Sequence, residues 1–367
     1  MAVSSFFVIV ISFLSGISLS DFATIGYLPF ALAAAASIAG LGVGVLRFRV
    51  VVDALANRPS LSLGDFGRAK LASQFLALTT PSTTGGFFLT TAWLSRKGID
   101  AGRAVWIGYF EMLVQIYVSS ALQLAAAAYA LSRGAVIIAS AITVVALVLA
   151  VGFTVIFVIP GLRGINLPPR VFQLAARVVG KRRAERLETT LKEGALNFSS
   201  AARATVSKNS LPLVAKAVGL TLVEAALSGL ALWFVMVSAG LKIDVFSSTL
   251  MAFGAVAIGA LPVSVGGSGI TEMALKYYLA SVYGFSSWAA IVLWRIASYQ
   301  VLLAISGIGL LLLVRRATAA SVPGESRYLL PTTFPVRGLQ RPGVLEPPFQ
   351  KSVLQSQNVS KISVLQS

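Results

Sequence analysis

The sequence predicts an all-α, polytopic integral membrane protein with six full spanning helices and two Pro/Gly-broken re-entrant hairpins in inverted repeats. Three observations lead to this prediction. Of the 367 residues, 56% are hydrophobic and only 12% are charged, which is about half the charged fraction of soluble domains. Several apolar stretches are long enough to cross a bilayer core of about 30 Å. Two further apolar stretches are interrupted by Pro and Gly-Gly near their centres.

Apolar stretches of about 18 or more residues with few charges predict spanning helices. Six segments qualify: 3–19, 24–46, 104–130, 135–159, 211–239 and 288–314. The first segment has the length of a signal peptide, but no positive residue precedes it, and Ser18-Leu19-Ser20 is a weak cleavage site. We therefore expect residues 3–19 to remain as an uncleaved first helix.

The basic residues predict how the spans are oriented. The chain has 30 Lys and Arg against 13 Asp and Glu, a formal net charge of +17. Most of the basic residues fall in 47–70, 95–103 and 161–210 or directly after the last span. Because cytoplasmic loops carry such an excess, we expect these loops and both termini to be cytoplasmic, in a protein of the plasma membrane. A nucleic-acid partner is not needed to explain the charge.

Two segments differ in composition from the spans. Residues 161–210 form a basic connector, which is either an amphipathic helix on the anionic inner leaflet or an ordinary solvated link. After residue 316 the composition changes to Pro, Ser, Gln and Val, and Ser-Val-Leu-Gln-Ser occurs at 352–356 and again at 363–367. We expect 1–316 to form one transmembrane domain and 317–367 to form a disordered, low-complexity tail.

The two interrupted segments, 71–94 and 245–283, contain the same Pro-x-x-x-Gly-Gly motif. Its residues are Pro81, Gly85 and Gly86 in the first segment, and Pro262, Gly266 and Gly267 in the second. The predicted orientation brings the first hairpin in from the cytoplasm and the second from outside. Repeat 1, about 71–130, and repeat 2, about 245–314, are therefore predicted to be inverted relative to each other.

Each motif is expected to leave peptide groups unpaired at membrane depth, because Pro lacks a backbone donor and Gly-Gly permits unwinding. Lipid tails cannot satisfy those groups, which must line a polar cavity or bind a ligand. Inverted broken hairpins with helix N-termini near the midplane indicate a transport site, and positive helix ends favour anionic groups such as phosphate. The alternative is that the Pro and the Gly pairs are only packing and kink devices.

Ionisable residues in apolar surroundings are the other candidates, since an unpaired charge there is costly. They are Glu111, Glu224, Glu272, Lys276 and Arg295. Local pairs, Glu272 with Lys276 and Glu224 with Lys216, are an alternative explanation for some of them. Glu111 and Arg295 have no local partner, so we expect partners across helices, where a carboxylate would carry a coupling proton or an arginine would hold a phosphate. The sequence has no Cys and no His, and we predict neither a metal nor a cofactor.

These motifs resemble the membrane (flippase) domain of the lysylphosphatidylglycerol synthase/flippase family over about residues 1–316. The matching residues are Arg47 and Arg49, the first Pro-x3-Gly-Gly motif, Gly98-Ile99-Asp100 with Glu111, and the second motif continued through Gly269 to Glu272, with Arg295. In two-domain members an acyltransferase-like domain follows, and 317–367 does not supply one, so we expect the stand-alone form and no enzyme. The resemblance implies a flippase-like protein that moves a lipid or lipid-linked headgroup between leaflets.

The predicted site and its partners follow from the motifs and the resemblance together. The transport-site candidates are Glu111, Glu272, Arg295, Lys276, Pro81, Gly85, Gly86, Pro262, Gly266, Gly267 and Gly269, with Glu224, Arg47 and Arg49 secondary. We expect membrane lipids as partners, either anionic phospholipid or polyprenyl-phosphate-linked lipid. Three alternatives stay open: an enzyme acting on lipid headgroups with Glu111 or Glu272 as general base, a scaffold for a partner membrane enzyme, and a small-solute transporter. The oligomeric state is also left open.

Overall fold

The computed structural model describes residues 19–56, 61–80, 84–163, 181–206, 210–261, 264–285 and 287–319, and within these ranges it contains helices and no strands. The helices are α1 (Leu19–Ile25), α2 (Tyr27–Leu55), α3 (Leu63–Thr79), α4 (Thr84–Arg96), α5 (Ala101–Ser132), α6 (Val136–Phe153), α7 (Ile159–Arg163), α8 (Lys181–Val206), α9 (Leu211–Ser238), α10 (Val245–Gly259), α11 (Ile270–Tyr283), α12 (Trp288–Arg295) and α13 (Val301–Ala319). Single π-helical turns, Thr154–Val158 and Ile296–Gln300, join α6 to α7 and α12 to α13.

Five helical segments in the described part of the chain are long and apolar enough to cross a membrane. They are α2, α5, α6 with its continuation to Arg163, α9, and α12 with its continuation into α13. They match five of the six predicted spans, and the sixth, 3–19, lies outside the described residues. On α6 the aliphatic side chains of Ile137 and Val148 are 72% and 64% exposed, as expected of a surface that faces lipid. The prediction of an all-α, polytopic membrane protein is confirmed.

The second span is longer than predicted, and this corrects one assignment. Residues 47–70 are not a loop, because α2 continues to Leu55 and α3 begins at Leu63. Arg47, predicted to lie in that cytoplasmic loop, is inside α2 and only 3% exposed. Its positive charge alone predicts a position at the membrane surface, but acidic partners on other helices allow the side chain to be buried.

Both interrupted segments are helical hairpins, and they pack against opposite halves of α5. The first hairpin consists of α3 and α4, and the ring of Phe87 on α4 lies 4.5 Å from that of Tyr109 in the N-terminal half of α5. The second consists of α10 and α11, and the Tyr278 hydroxyl on α11 donates to the carbonyl oxygen of Ala126 in the C-terminal half, at 2.8 Å. The inverted orientation of the two repeats stays a prediction.

Each hairpin begins with a capped helix. At the start of α3, the Ser62 hydroxyl accepts from the Asp65 N–H at 3.2 Å and donates to its carboxylate at 2.7 Å. This bond and the Arg68 guanidinium hold the pKa of the Asp65 carboxyl below its usual range. At the start of α10, the carboxylate of Asp244 accepts from the N–H and the hydroxyl of Ser247, and these bonds lower its pKa. Such caps fix where a helix begins.

The basic connector is partly helical. Within 161–210, α7 ends at Arg163 and α8 runs over Lys181–Val206, while 164–180 and 207–209 lie outside the described residues. The buried side of α8 packs on α5, where the Trp106 indole N–H donates to the Thr205 hydroxyl at 2.8 Å. The helix α13 continues to Ala319, so the predicted tail, 317–367, begins at least three residues later, and 320–367 lies outside the described residues.

Candidate functional site

The strongest candidate site is the ion pair between Glu272 and Arg295 at the break of the second hairpin. Glu272 is the third residue of α11 and is 1% exposed, and Arg295 ends α12 and is 6% exposed. One carboxylate oxygen accepts from Arg295 Nε at 2.9 Å, and the other accepts from the Gly269 backbone N–H at 2.8 Å. The carboxylate thus lies between a guanidinium and the N-terminus of a helix, the two groups that most favour an anion.

The backbone before α11 is unwound, as predicted for this motif. Gly266, Gly267 and Gly269 have φ angles of 61°, 69° and 86°, a left-handed region in which a side chain is disfavoured. In this unwound segment, the backbone carbonyl oxygen of Gly266 accepts a hydrogen bond from Arg295 Nη2 at 2.5 Å. Pro262, the first residue of the motif, lies outside the described residues. The break therefore supplies a backbone acceptor to the same arginine that Glu272 neutralises.

The tips of the two hairpins meet beside this ion pair. The Tyr299 ring lies 4.4 Å from the guanidinium carbon of Arg295, and its hydroxyl donates to the carbonyl oxygen of Leu78 at 2.7 Å. Leu78 is in the last turn of α3, in the first hairpin. The short 3₁₀ turn Val265–Gly267 of the second hairpin also contacts α3. The candidate site is therefore at the junction of both hairpins.

The first Gly pair does not behave as predicted. Gly85 and Gly86 lie in the first turn of α4 and are helical rather than unwound. A Cβ on Gly86 would come within 2.8 Å of the Ser73 carbonyl oxygen and 2.9 Å of the Ala77 Cβ. The pair therefore allows α3 and α4 to approach closely, which is the packing role given above as the alternative. Pro81 lies outside the described residues.

A second charged network surrounds Arg47, where α2, α3, α5 and α9 meet. Arg47 donates to four side chains: Glu111 and Gln115 on α5, and Thr221 and Glu224 on α9. The distance from Arg47 Nε to Glu111 is 3.3 Å and that from Nη1 to Glu224 is 2.7 Å. Lys70 on α3 adds a second cation, 3.1 Å from Glu111. The expectation that Glu111 and Arg295 meet partners across helices is confirmed for both.

Two candidate residues are not brought to either network. The Lys276 ammonium lies over the Trp288 ring, 4.3 Å from its centroid, and Arg49 pairs with Asp53 on the exposed side of α2. The alternative of local pairs is wrong, because Glu272 pairs with Arg295 and Glu224 pairs with Arg47.

Sequence reasoning also missed residues in both networks. They are Lys70, Gln115, Thr221 and Tyr299. Tyr299 had one detectable signal, because it lies four residues after Arg295, about one helical turn along the same span.

An apolar cavity of about 820 Å³ lies between α5 and α9. Its lining includes Phe110, Val114, Tyr117, Val214 and Val218. Phe110 and Val114 each directly precede a residue that Arg47 contacts, Glu111 and Gln115. The cavity has the volume of a typical small-molecule site, and its walls offer mainly hydrocarbon.

Among the described residues, no group of three or more Asp or Glu side chains is arranged to hold a metal ion. The acidic side chains of both networks are paired with Arg or Lys instead.

A family model described as the lysylphosphatidylglycerol synthase TM region matches residues 1–307. No curated protein matches the chain significantly.

Proposed function

The chain belongs to the lysylphosphatidylglycerol synthase TM region family, and from that premise we propose that it is a lipid flippase of the plasma membrane. It is a multi-pass membrane protein of a family associated with lipid handling. The proposed activity is the movement of an anionic phospholipid, or of a polyprenyl-phosphate-linked lipid, between leaflets. Both termini are cytoplasmic in this proposal.

The observation that carries the proposal is the position of the Glu272 carboxylate between Arg295 and the Gly269 N–H. A lipid phosphate has the same charge sign and the same acceptor oxygens, so it can replace the carboxylate on these two groups. Glu272 then acts as the protein's own substitute for the headgroup when no lipid is bound. Exchange of one anion for the other keeps the buried guanidinium paired throughout, which avoids the cost of an uncompensated charge.

Transport by this route needs the site to open to one leaflet at a time. The two hairpins pack against opposite halves of α5, and their tips meet at Tyr299. Movement of either hairpin away from the other would expose Arg295 from its own side of the membrane. This is the alternating access expected of inverted, broken-helix repeats.

The apolar cavity favours a lipid over a small polar solute. Its walls are mainly hydrocarbon, which offers no hydrogen-bond partners to a polar solute, and its volume of about 820 Å³ is that of a site for an organic ligand. Two of its lining residues, Phe110 and Val114, each directly precede in sequence a residue of the charged network around Arg47, Glu111 and Gln115. Hydrocarbon walls of this kind suit the acyl chain of a lipid.

The direct test is transport in vesicles that contain the purified protein. Fluorescent phosphatidylglycerol, other phospholipids and a polyprenyl-phosphate glycolipid are placed in one leaflet, with and without a proton gradient, and their appearance in the other leaflet is measured. We expect at least one anionic lipid to cross faster than in protein-free vesicles. If no lipid of the panel does so, the proposal is wrong.

Variants then test the site itself. We expect Arg295→Ala and Glu272→Gln to abolish transport in protein that is still inserted and folded. The first removes the cation that would bind the lipid phosphate, and the second removes the carboxylate that pairs with this cation when no lipid is bound. The matched control is Arg49→Ala, which removes an arginine from a partly exposed pair with Asp53. Wild-type transport by the Arg295 and Glu272 variants would make the ion pair structural only.

A further inference from the structure

Tyr299 connects elements that belong to both hairpins. Its hydroxyl donates to Leu78 of the first hairpin, and its ring packs under Arg295, which in turn donates to Glu272 and Gly266 of the second. Tyr299 itself is 3% exposed. A buried tyrosine hydroxyl normally has a hydrogen-bond partner. The partner of this one is a backbone carbonyl oxygen 221 residues away in the sequence, in the first hairpin.

The Leu78 carbonyl is available because α3 ends one residue later, at Thr79. Carbonyl groups in the last turn of a helix have no partner within the helix. Two neighbouring carbonyl groups, of Phe75 and Leu76, accept from the hydroxyls of Thr79 and Thr80, which belong to the same hairpin. Leu78 instead accepts from across the junction, so its hydrogen bond is broken whenever the tips separate.

The second hairpin fits closely around the same ring. A Cβ at Gly266 would overlap the Tyr299 ring and hydroxyl, so the glycine leaves the space that the ring fills. Tyr299 lies in the π-helical turn Ile296–Gln300, and such turns often mark functional sites. The side chain is thus fixed on one side by the second hairpin and hydrogen-bonded on the other side to the first.

We propose that Tyr299 is the positioning residue that holds the two hairpin tips together, and that breaking its hydrogen bond to Leu78 opens the junction beside Arg295. Its role in transport rests on the proposed function. The opening of the junction does not, because it is a property of the protein without any transported lipid.

The absence of cysteine from the sequence makes this opening measurable. Ser264→Cys places one thiol in the loop before Gly266, where the serine hydroxyl is buried and has no hydrogen-bond partner among the described residues. The rate of its reaction with a water-soluble maleimide, in protein reconstituted in vesicles without added fluorescent lipid, reports how often the junction opens. Ser268→Cys is a second reporter, because that side chain is 3% exposed and its hydroxyl is also unpartnered there.

Tyr299→Phe keeps the ring and removes only the hydroxyl. We expect it to raise the labelling rate at both reporters about fivefold, the factor that corresponds to a net hydrogen bond of about 1 kcal/mol. The matched control is Tyr278→Phe, which removes a hydroxyl that donates to the Ala126 carbonyl oxygen in the apolar core. This control is expected to leave the labelling rate unchanged.

Two results would overturn the proposal. The first is an unchanged labelling rate in Tyr299→Phe at both reporters. The second is an equal rise in Tyr278→Phe, which would show general loosening rather than a specific junction. Because labelling needs no lipid substrate, a failure of the transport assay leaves this result readable, and the two proposals fail separately.

Discussion

The two hairpins contain the same Pro-x3-Gly-Gly motif, but the motif adopts different backbone conformations in them. In the first hairpin, Gly85 and Gly86 are helical and allow α3 and α4 to pack closely. In the second, Gly266 and Gly267 are left-handed and unwind the chain. A repeated motif therefore predicts a repeated break in the helices, while its local conformation depends on what packs against it.

The hairpins also differ in where they hold their buried charge. In the second hairpin Glu272 lies three residues after the break and pairs with Arg295. In the first, Lys70 lies eight residues before Leu78, about 12 Å away along α3, and pairs with Glu111. Charge close to the break can bind a ligand there, whereas charge far from it joins the hairpin to the spanning helices. We infer that the first network mainly stabilises the fold.

The largest expected effect tests that inference about the first network. Arg47→Ala leaves Glu111 and Glu224 without their central cation, and breaking a buried ion pair in this way typically costs about 3–5 kcal/mol. We expect a large loss of thermal stability in detergent, measured by unfolding followed with size-exclusion chromatography. Arg49→Ala, two residues along the same helix, removes a partly exposed pair, for which a cost of about 1 kcal/mol or less is typical. Equal stability of the two variants would contradict a structural role for the Arg47 network.

A smaller effect separates the two Gly pairs. Gly86→Ala introduces overpacking against Ser73 and Ala77, which typically costs about 1–3 kcal/mol. Gly266→Ala adds to a similar clash with Tyr299 a left-handed φ of 61°, which costs about 1 kcal/mol or more for a residue other than glycine. We expect Gly266→Ala to be the less stable variant in the same unfolding measurement. If Gly86→Ala were the less stable variant, the Gly pair of the first hairpin would be the one that tolerates a side chain less well.

The smallest effect concerns the helix caps and tests whether the hairpins enter from opposite faces. Hydrogen bonds lower the pKa values of Asp65 and Asp244 below the ordinary value of 3.8. Their stabilisation is therefore present above that pH and is lost as the pH falls through the lower, folded-state value. Acidifying only the outside of vesicles with a buffered interior should lower the protection of the amide hydrogens in the first turn of α10 and not in that of α3. Protection here means the slowing of exchange that remains after correction for its intrinsic dependence on pH.

The controls for this experiment use the same two carboxylates. Asp244→Asn should remove the effect of acid on α10, because the side chain no longer titrates. Protein inserted in the reverse orientation should show the effect at α3 instead. Acid sensitivity of both helix starts from one side would contradict the inverted arrangement.

Much of the fold was visible in the sequence because it depends on local patterns. Five spans and both interrupted hairpins follow from apolar runs and from the spacing of Pro and Gly. The end of α2 was missed, since Arg47 resembles a loop residue until its partners are known. Those partners, Glu111 and Glu224, lie 64 and 177 residues away, and no local pattern identifies them.

The candidate site was predicted in its charges but not in its connections. Glu272 and Arg295 were found because charge is rare in apolar segments, and that signal needs no structure. Tyr299 was missed because an aromatic residue in a spanning helix is usually read as part of the apolar core. Its hydrogen bond to Leu78 depends on two helix ends meeting in space, which sequence spacing alone does not reveal.

The length of α5 has a consequence for the host membrane. Its 32 residues extend about 48 Å, whereas the hydrocarbon core is about 30 Å thick. A straight helix of this length must tilt, project beyond the hydrocarbon or thicken the surrounding bilayer. Because the two hairpins pack against its opposite halves, a change of tilt in a thinner or thicker membrane would shift one hairpin relative to the other, so that hydrophobic mismatch acts directly on the junction between them.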